Sequence, residues 1–191
     1  VTAVFSFRLC LRIKYSPPSF LEINGEAAIF FGNNDGYIHG LNLNGTPLIG
    51  WPVLMSGDIE GSVVFSDLDG DGEAEIVAAS NTGELGAFFL DGSTYPYFPI
   101  LNGSPYKGSV LIIDLDNDDD LEIIGGSVNN LAVIDVKETG SSDNYWHIFR
   151  GNNLRNGFAV LDESECGADL ADVNGDNEIN ILDLVQVANL I

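Results

Sequence analysis

Apolar and polar residues alternate along residues 4–15. Phe5, Phe7, Leu9, Leu11, Ile13 and Tyr15 fall on one face, and Ser6, Arg8, Cys10, Arg12 and Lys14 on the other. Strand side chains alternate between faces, so this period of two predicts a long amphipathic strand. Its basic face suits an acidic neighbour, and an arginine in its middle argues against a signal-peptide apolar region. Pro17 and Pro18 break it.

Beyond the prolines the pattern repeats every 47 residues. Gly36 falls on Gly83, and Gly45 on Gly92; a third copy begins at Glu122 and places Asn130 on Gly83. An aromatic residue recurs at Trp51, Phe98 and Tyr145. Pro52 matches Pro99, and Trp146 takes that place in the third copy. The middle unit reads as strands over 61–66, 75–80, 84–90 and 95–100, with N-T-G and D-G as hairpin turns. Four short antiparallel strands in a repeat of about 40–50 residues describe a propeller-type blade. The expected fold is therefore all-β, with about three four-stranded β-propeller-type blades over 21–161. The first unit shows no opening strand at the matching spacing, whereas 156–161 reads as an opening strand with no blade after it.

Two acidic loops stand at the same place in successive units. In the first, Asp67, Asp69 and Asp71 alternate, Gly72 and Glu73 follow, and Glu75 opens an apolar run. In the second, Asp114, Asp116, Asp118, Asp120 and Glu122 occupy the matching positions. Calcium takes about 6–8 oxygens at about 2.3–2.6 Å, and alternate residues of a tight turn supply them. Glu73 and Asp120 sit where a backbone carbonyl would be offered. The first unit departs from the pattern: only Glu22 and Asn24 remain, and Ala28 replaces the closing glutamate, so no calcium is expected there.

After residue 161 the composition changes. Asp172, Asn174, Asp176, Asn180 and Asp183 follow EF-hand-like spacing, with Glu178 as a carbonyl donor. Ile181, Leu184, Val185, Ala188 and Ile191 then form a helical stripe. The predicted organisation is an N-terminal strand (1–20), the repeats (21–161) and a small calcium loop with a helix (162–191).

These motifs carry two resemblances. D-L-D-G-D-G-E-A-E-I-V from Asp67, D-L-D-N-D-D-D-L-E-I-I from Asp114, G-W-P-V from Gly50 and W-H-I-F-R-G-N-N-L-R-N-G from Trp146 resemble the FG-GAP/VCBS repeats of integrin α-type propellers and bacterial surface proteins. That resemblance, over about residues 21–160, implies calcium loops between blade strands and extracellular adhesion or ligand recognition, with no single enzyme activity. The segment from Asp172 resembles one half of a type I dockerin; the absent second half puts cohesin binding in doubt.

Composition narrows the function. The net charge of −22 disfavours nucleic acid and anionic membrane as partners. Three bound calcium ions would offset part of that charge, so calcium-dependent stability is expected. No apolar run nears the roughly 18–20 residues of a membrane span, so no membrane insertion is expected. Val1 in place of an initial Met suggests a processed or truncated chain. Cys10 and Cys166 could form a disulfide or remain thiols. His39 and His147 fall in different units, and no nucleophile, metalloprotease or phosphate-loop motif is present, so no enzyme activity is expected. Trp51, Tyr95, Tyr97, Tyr106 and Trp146 could stack on sugars or fill blade cores, the latter favoured. Asn44 and Asn102 match the glycan-acceptor pattern.

About three blades fall short of the roughly 4–8 of a closed propeller. Open sheet edges would then favour a larger propeller, a ring of copies or a filament. The expectation is an extracellular or cell-surface, calcium-binding structural or adhesive protein. It would form a homo-oligomer or polymer, with a cell-surface protein or glycan as a further partner. The alternative is a carbohydrate-recognition module of a polysaccharide-degrading enzyme or complex.

Overall fold

The computed structural model describes residues 16–155 and residue 157, all within the first of two units, Val1–Ala159. The expected strand over 4–15, both cysteines and the opening strand expected over 156–161 lie outside the described residues, apart from Gly157. So do the C-terminal loop and helix, with Asp172, Asn174, Asp176, Glu178, Asn180 and Asp183.

The described residues are all-β, in three antiparallel sheets of three to four strands. The first sheet runs β1 (Ser19–Ile23), β2 (Glu26–Gly32), β3 (Tyr37–Asn42) and β4 (Val53–Leu54). The second runs β5 (Val64–Ser66), β6 (Glu75–Ala79), β7 (Glu84–Phe88) and β8 (Ile100–Leu101). The third has β9 (Leu111–Ile113), β10 (Asp120–Gly126) and β11 (Leu131–Thr139). The sequence period sets these positions: β3, β7 and β11 begin at Tyr37, Glu84 and Leu131, each 47 residues after the last.

Several expected boundaries move. β7 stops at Phe88 because Phe89 opens the Asp91–Gly92 turn, donating to the Ser93 carbonyl at 2.9 Å. The strand expected over 95–100 shrinks to β8, because the chain reverses at Tyr97 (φ 66°) and the Phe98 amide donates back to Tyr95 O. The first unit does have an opening strand, β1. It escapes the 47-residue spacing because β1 joins β2 through two residues alone, Asn24 and Gly25. Both have positive φ, as a type I′ hairpin turn requires.

The third sheet departs further, with three strands among the described residues where four were expected. Residues 147–148 occupy the place of β4 and β8 in the repeat, but His147 accepts from the Ile112 amide of β9 at 3.0 Å. Beside it, Trp146 O accepts from Phe65 N of β5. The chain thus returns to the opening strands of sheets two and three and leaves the outer edge of β11 with no strand partner among the described residues.

Two apolar cores separate the sheets. Phe30 and Ile38 of the first sheet, with Trp51 of its β3–β4 connection, meet Phe65, Ile76 and Phe88 of the second. Val64, Val77 and Leu85 on its opposite face meet Ile112, Leu121 and Ile123 of the third. The middle sheet is therefore covered on both sides, which is why β6 and β7 are buried throughout and lack polar alternation.

The third sheet also slips in register. Gly32 pairs with Ile38 and Ala79 with Leu85, but Gly126 pairs with Leu131. Gly36 and Gly83 hold positive φ in the first two turns. Asn130 stands in their place, and the third turn closes one residue early through Ser127 N to Asn130 O at 2.8 Å. A slip of one residue exchanges the faces of a strand. Ala132 and Ile134 accordingly turn back onto the second core, and Leu131 and Val133 point to solvent, 67% and 47% exposed.

Candidate metal centre

Each acidic loop joins the first and second strands of a sheet. The loop after β5 and the loop after β9 share a backbone path. Gly70 and Asn117 have φ of 73° and 62°, and Gly72 and Asp119 have 89° and 69°. Asn and Asp tolerate this left-handed region better than most residues, so the second loop reaches it without glycine. The first sheet has no such loop. Glu22 lies in β1 opposite Ala27, and Asn24 is a turn residue.

The aspartates organise their own loops. Asp67 accepts from Gly70 N at 2.6 Å and from Gly72 N at 3.0 Å, and Asp114 accepts from Asn117 N at 2.7 Å. Asp69 and Asp71 accept from the amides two residues on, Asp71 N and Glu73 N. The closing glutamates are buried and act alike: Glu75 accepts from Leu68 N and Glu122 from Leu115 N, each at 2.6 Å. One glutamate oxygen thereby pins the start of each loop to the strand at its end.

Carboxylate oxygens converge in both loops. Those of Asp67, Asp69 and Asp71 lie within 4.8 Å of one another. In the second loop Asp114, Asp116 and Glu122 form one such group, and Asp118, Asp120 and Glu122 another. Either loop could hold a metal ion through oxygen ligands, which suits hard cations. The Asp120 side chain, rather than its carbonyl alone, joins the second group: β10 starts two residues earlier than β6, so Asp120 and Glu122 share a face. The exposed Glu73 carboxylate and the buried Glu75 lie outside the first carboxylate trio.

The first loop has the electrostatics of crowded acids, and the second sets one ammonium among its acids. Burial pushes the Glu75 carboxyl up to about 8, with Asp69, Asp71 and Asp67 adding repulsion. Burial, with repulsion from Asp71, Asp67 and Glu138, also raises Asp69. At the second loop the Lys137 ammonium lies 3.3 Å from Asp120 and 3.9 Å from Asp118, and 2.5 Å from its strand neighbour Asp135. One Asp120 oxygen is nonetheless buried without a hydrogen-bond partner. Ser66, opposite Glu75 in the β5–β6 ladder, is likewise buried with its hydroxyl unpartnered.

The sequence reading missed Lys137 and Glu138, which reach the loops from β11. Glu138 accepts a hydrogen bond from the Tyr95 hydroxyl at 2.8 Å. No local motif marks either residue, because the contacts depend on the register of β11.

The other candidates are mostly structural. Trp51, Tyr95 and Tyr106 are buried; Trp51 donates its Nε1 proton to Leu90 O at 2.8 Å. Trp146 packs against the first core, and of the five aromatics Tyr97 alone is fully open, at 95% exposure. His39 is buried, stacked on Phe31 with ring centroids 5.1 Å apart. The Asn33 side-chain oxygen accepts from two amides, leaving its NH2 to donate to His39 Nε2. Burial lowers the pKa of that ring. A cavity of about 390 Å³ near Pro17, Lys107, Phe149 and Arg155 contains one acid, Glu60, paired with Lys107 at 3.4 Å.

No family model matches the chain, and no curated protein matches it. The FG-GAP/VCBS and dockerin resemblances therefore stand on the residues that carry them.

Proposed function

We propose that this chain is a calcium-stabilised, non-enzymatic module of propeller-type repeats, with a structural or adhesive role outside the cell. The observation that carries the reading is the duplicate loop: the same positive-φ positions, the same alternation of acids along the sequence and the same glutamate clamp recur 47 residues apart, and carboxylate oxygens converge in both loops. All-oxygen loops with several carboxylates suit calcium better than magnesium, which demands tighter octahedral geometry. Weak calcium sites fill outside cells, where the ion is plentiful. The FG-GAP/VCBS resemblance points the same way.

Self-association belongs to this reading. β11 is the longest strand described, and its outer edge is unpaired among the described residues, where sheets one and two carry β4 and β8. An open edge accepts a strand from another copy and links protomers. The burial of Trp51, Tyr95 and Tyr106 weighs against an aromatic sugar platform, and so against the carbohydrate-recognition alternative.

Light scattering on the full chain, in calcium and again in chelator, tests the reading. Particles well above the 20.5 kDa of one chain that dissociate in chelator are expected. A monomer in both conditions that binds a defined glycan would replace this function with sugar recognition.

A further inference from the structure

The end of β11 and the segment after it touch both acidic loops. Thr139 pairs with Asp120 of the second loop, and a Cβ on Gly70 of the first loop would lie 2.7 Å from the Thr139 carbonyl oxygen. Gly140 donates its amide proton to Asp119 O at 3.1 Å. Ser141 then exchanges two backbone hydrogen bonds with Asp67, at 2.7 and 3.0 Å, and the Tyr145 hydroxyl donates to Gly72 O at 3.2 Å. The next two carbonyls, of Trp146 and His147, bind β5 and β9, the strands that lead into the two loops. One run of nine residues thus contacts the entry and the interior of both loops.

We infer that this strap couples the two loops, so that a cation in one raises the affinity of the other. The inference rests on the reading of both loops as cation sites. The physical route is short. An ion that draws Asp67, Asp69 and Asp71 together fixes Asp67 and Gly72, which hold Ser141 and Tyr145. The strap so fixed presents Thr139 and Gly140 to Asp120 and Asp119, whose loop no longer bears the whole ordering cost when its own ion arrives. Because linkage is reciprocal, the second loop must act on the first by the same factor.

Hydrogen exchange of the full chain, read by mass spectrometry across a calcium titration, separates the sites. Peptides spanning 64–79 and 111–126 report the two loops through the Leu68 and Leu115 amides. With Asp69→Ala, the calcium midpoint of the 111–126 peptide should rise about five- to tenfold, and Asp116→Ala should raise that of 64–79 by the same factor. Asp69→Asn and Asp116→Asn serve where an alanine variant loses protection in the 26–42 hairpin. Tyr145→Phe leaves every acid in place and should reduce both shifts while both peptides still respond. Midpoints unchanged by disabling the other loop would overturn the coupling. A wild-type chain in which neither peptide responds to calcium would overturn the cation reading itself, and the coupling with it.

Discussion

Ser141 and Asp67 exchange a reciprocal pair of backbone hydrogen bonds across 74 residues of chain. Asp67 is the first acid of one loop, and Ser141 follows the last strand of the third sheet. The contact leaves no room beside it: a Cβ on Gly140 would lie 2.6 Å from Asp67 O and 3.1 Å from Leu68 O. Gly140→Ala should therefore destabilise the fold by about 1–3 kcal/mol, as overpacking against backbone does. Urea unfolding of the variant beside wild type measures this. A loss within a few tenths of a kcal/mol would mean the strap is not held where described.

The first sheet provides an internal control. Its Asn24–Gly25 turn replaces the acidic loop, and Gly25 has φ of 77° with open space around its α-carbon. Gly25→Ala should cost about 1–2 kcal/mol through left-handed strain alone. The cost should be equal in calcium and in chelator, since no carboxylate cluster depends on this turn. Thermal melts of the variant in both conditions check this; a loss confined to calcium would tie the first hairpin to ion binding.

Glu75 predicts how the metal-free protein responds to pH. Its folded pKa of about 8 lies above the ordinary 4.5. Between those values the folded chain keeps a proton that the unfolded chain has released, so stability falls as pH rises. The contribution is complete below about 4.5 and gone above about 8, with a slope of at most about 1.4 kcal/mol per pH unit. Unfolding in chelator at pH 5, 6, 7 and 8 (about one-unit steps) should show the decline, and Glu75→Gln should flatten it. An unchanged slope in Glu75→Gln would assign the effect to other groups.

Much of the architecture is legible in the sequence, for a physical reason. The repeated glycines and apolar runs fix the hairpins of the first two sheets, so the starts of β3 and β7 follow from the period. Alternating aspartates ahead of a glutamate likewise mark a loop whose carboxylates converge, because all its parts are local. The missed features are non-local or depend on one turn. β1 was hidden because a two-residue hairpin replaces a longer loop and breaks the spacing. The flip of β11 hinges on Asn130 standing where Gly36 and Gly83 stand, and one residue of register then exchanges every side chain of the strand. The loss of a fourth strand from the third sheet depends on Trp146 and His147 finding partners in β5 and β9, over thirty residues away. Lys137 and Glu138 join the acidic loops for the same reason and carry no signature of their own.

The measurement that bears most directly on the account is thermal unfolding of the wild type and of Asp69→Ala/Asp116→Ala, in calcium and in chelator. An ion held at a hundred times its dissociation constant adds about 2.7 kcal/mol per site, or roughly 5–10 °C in a chain of this size. The account predicts that calcium raises the wild-type melting temperature by at least that much, that the double variant loses most of the gain, and that the two proteins melt together in chelator. A double variant that melts lower by the same amount in both conditions would make the loops acidic turns that bind no ion, and would contradict the account.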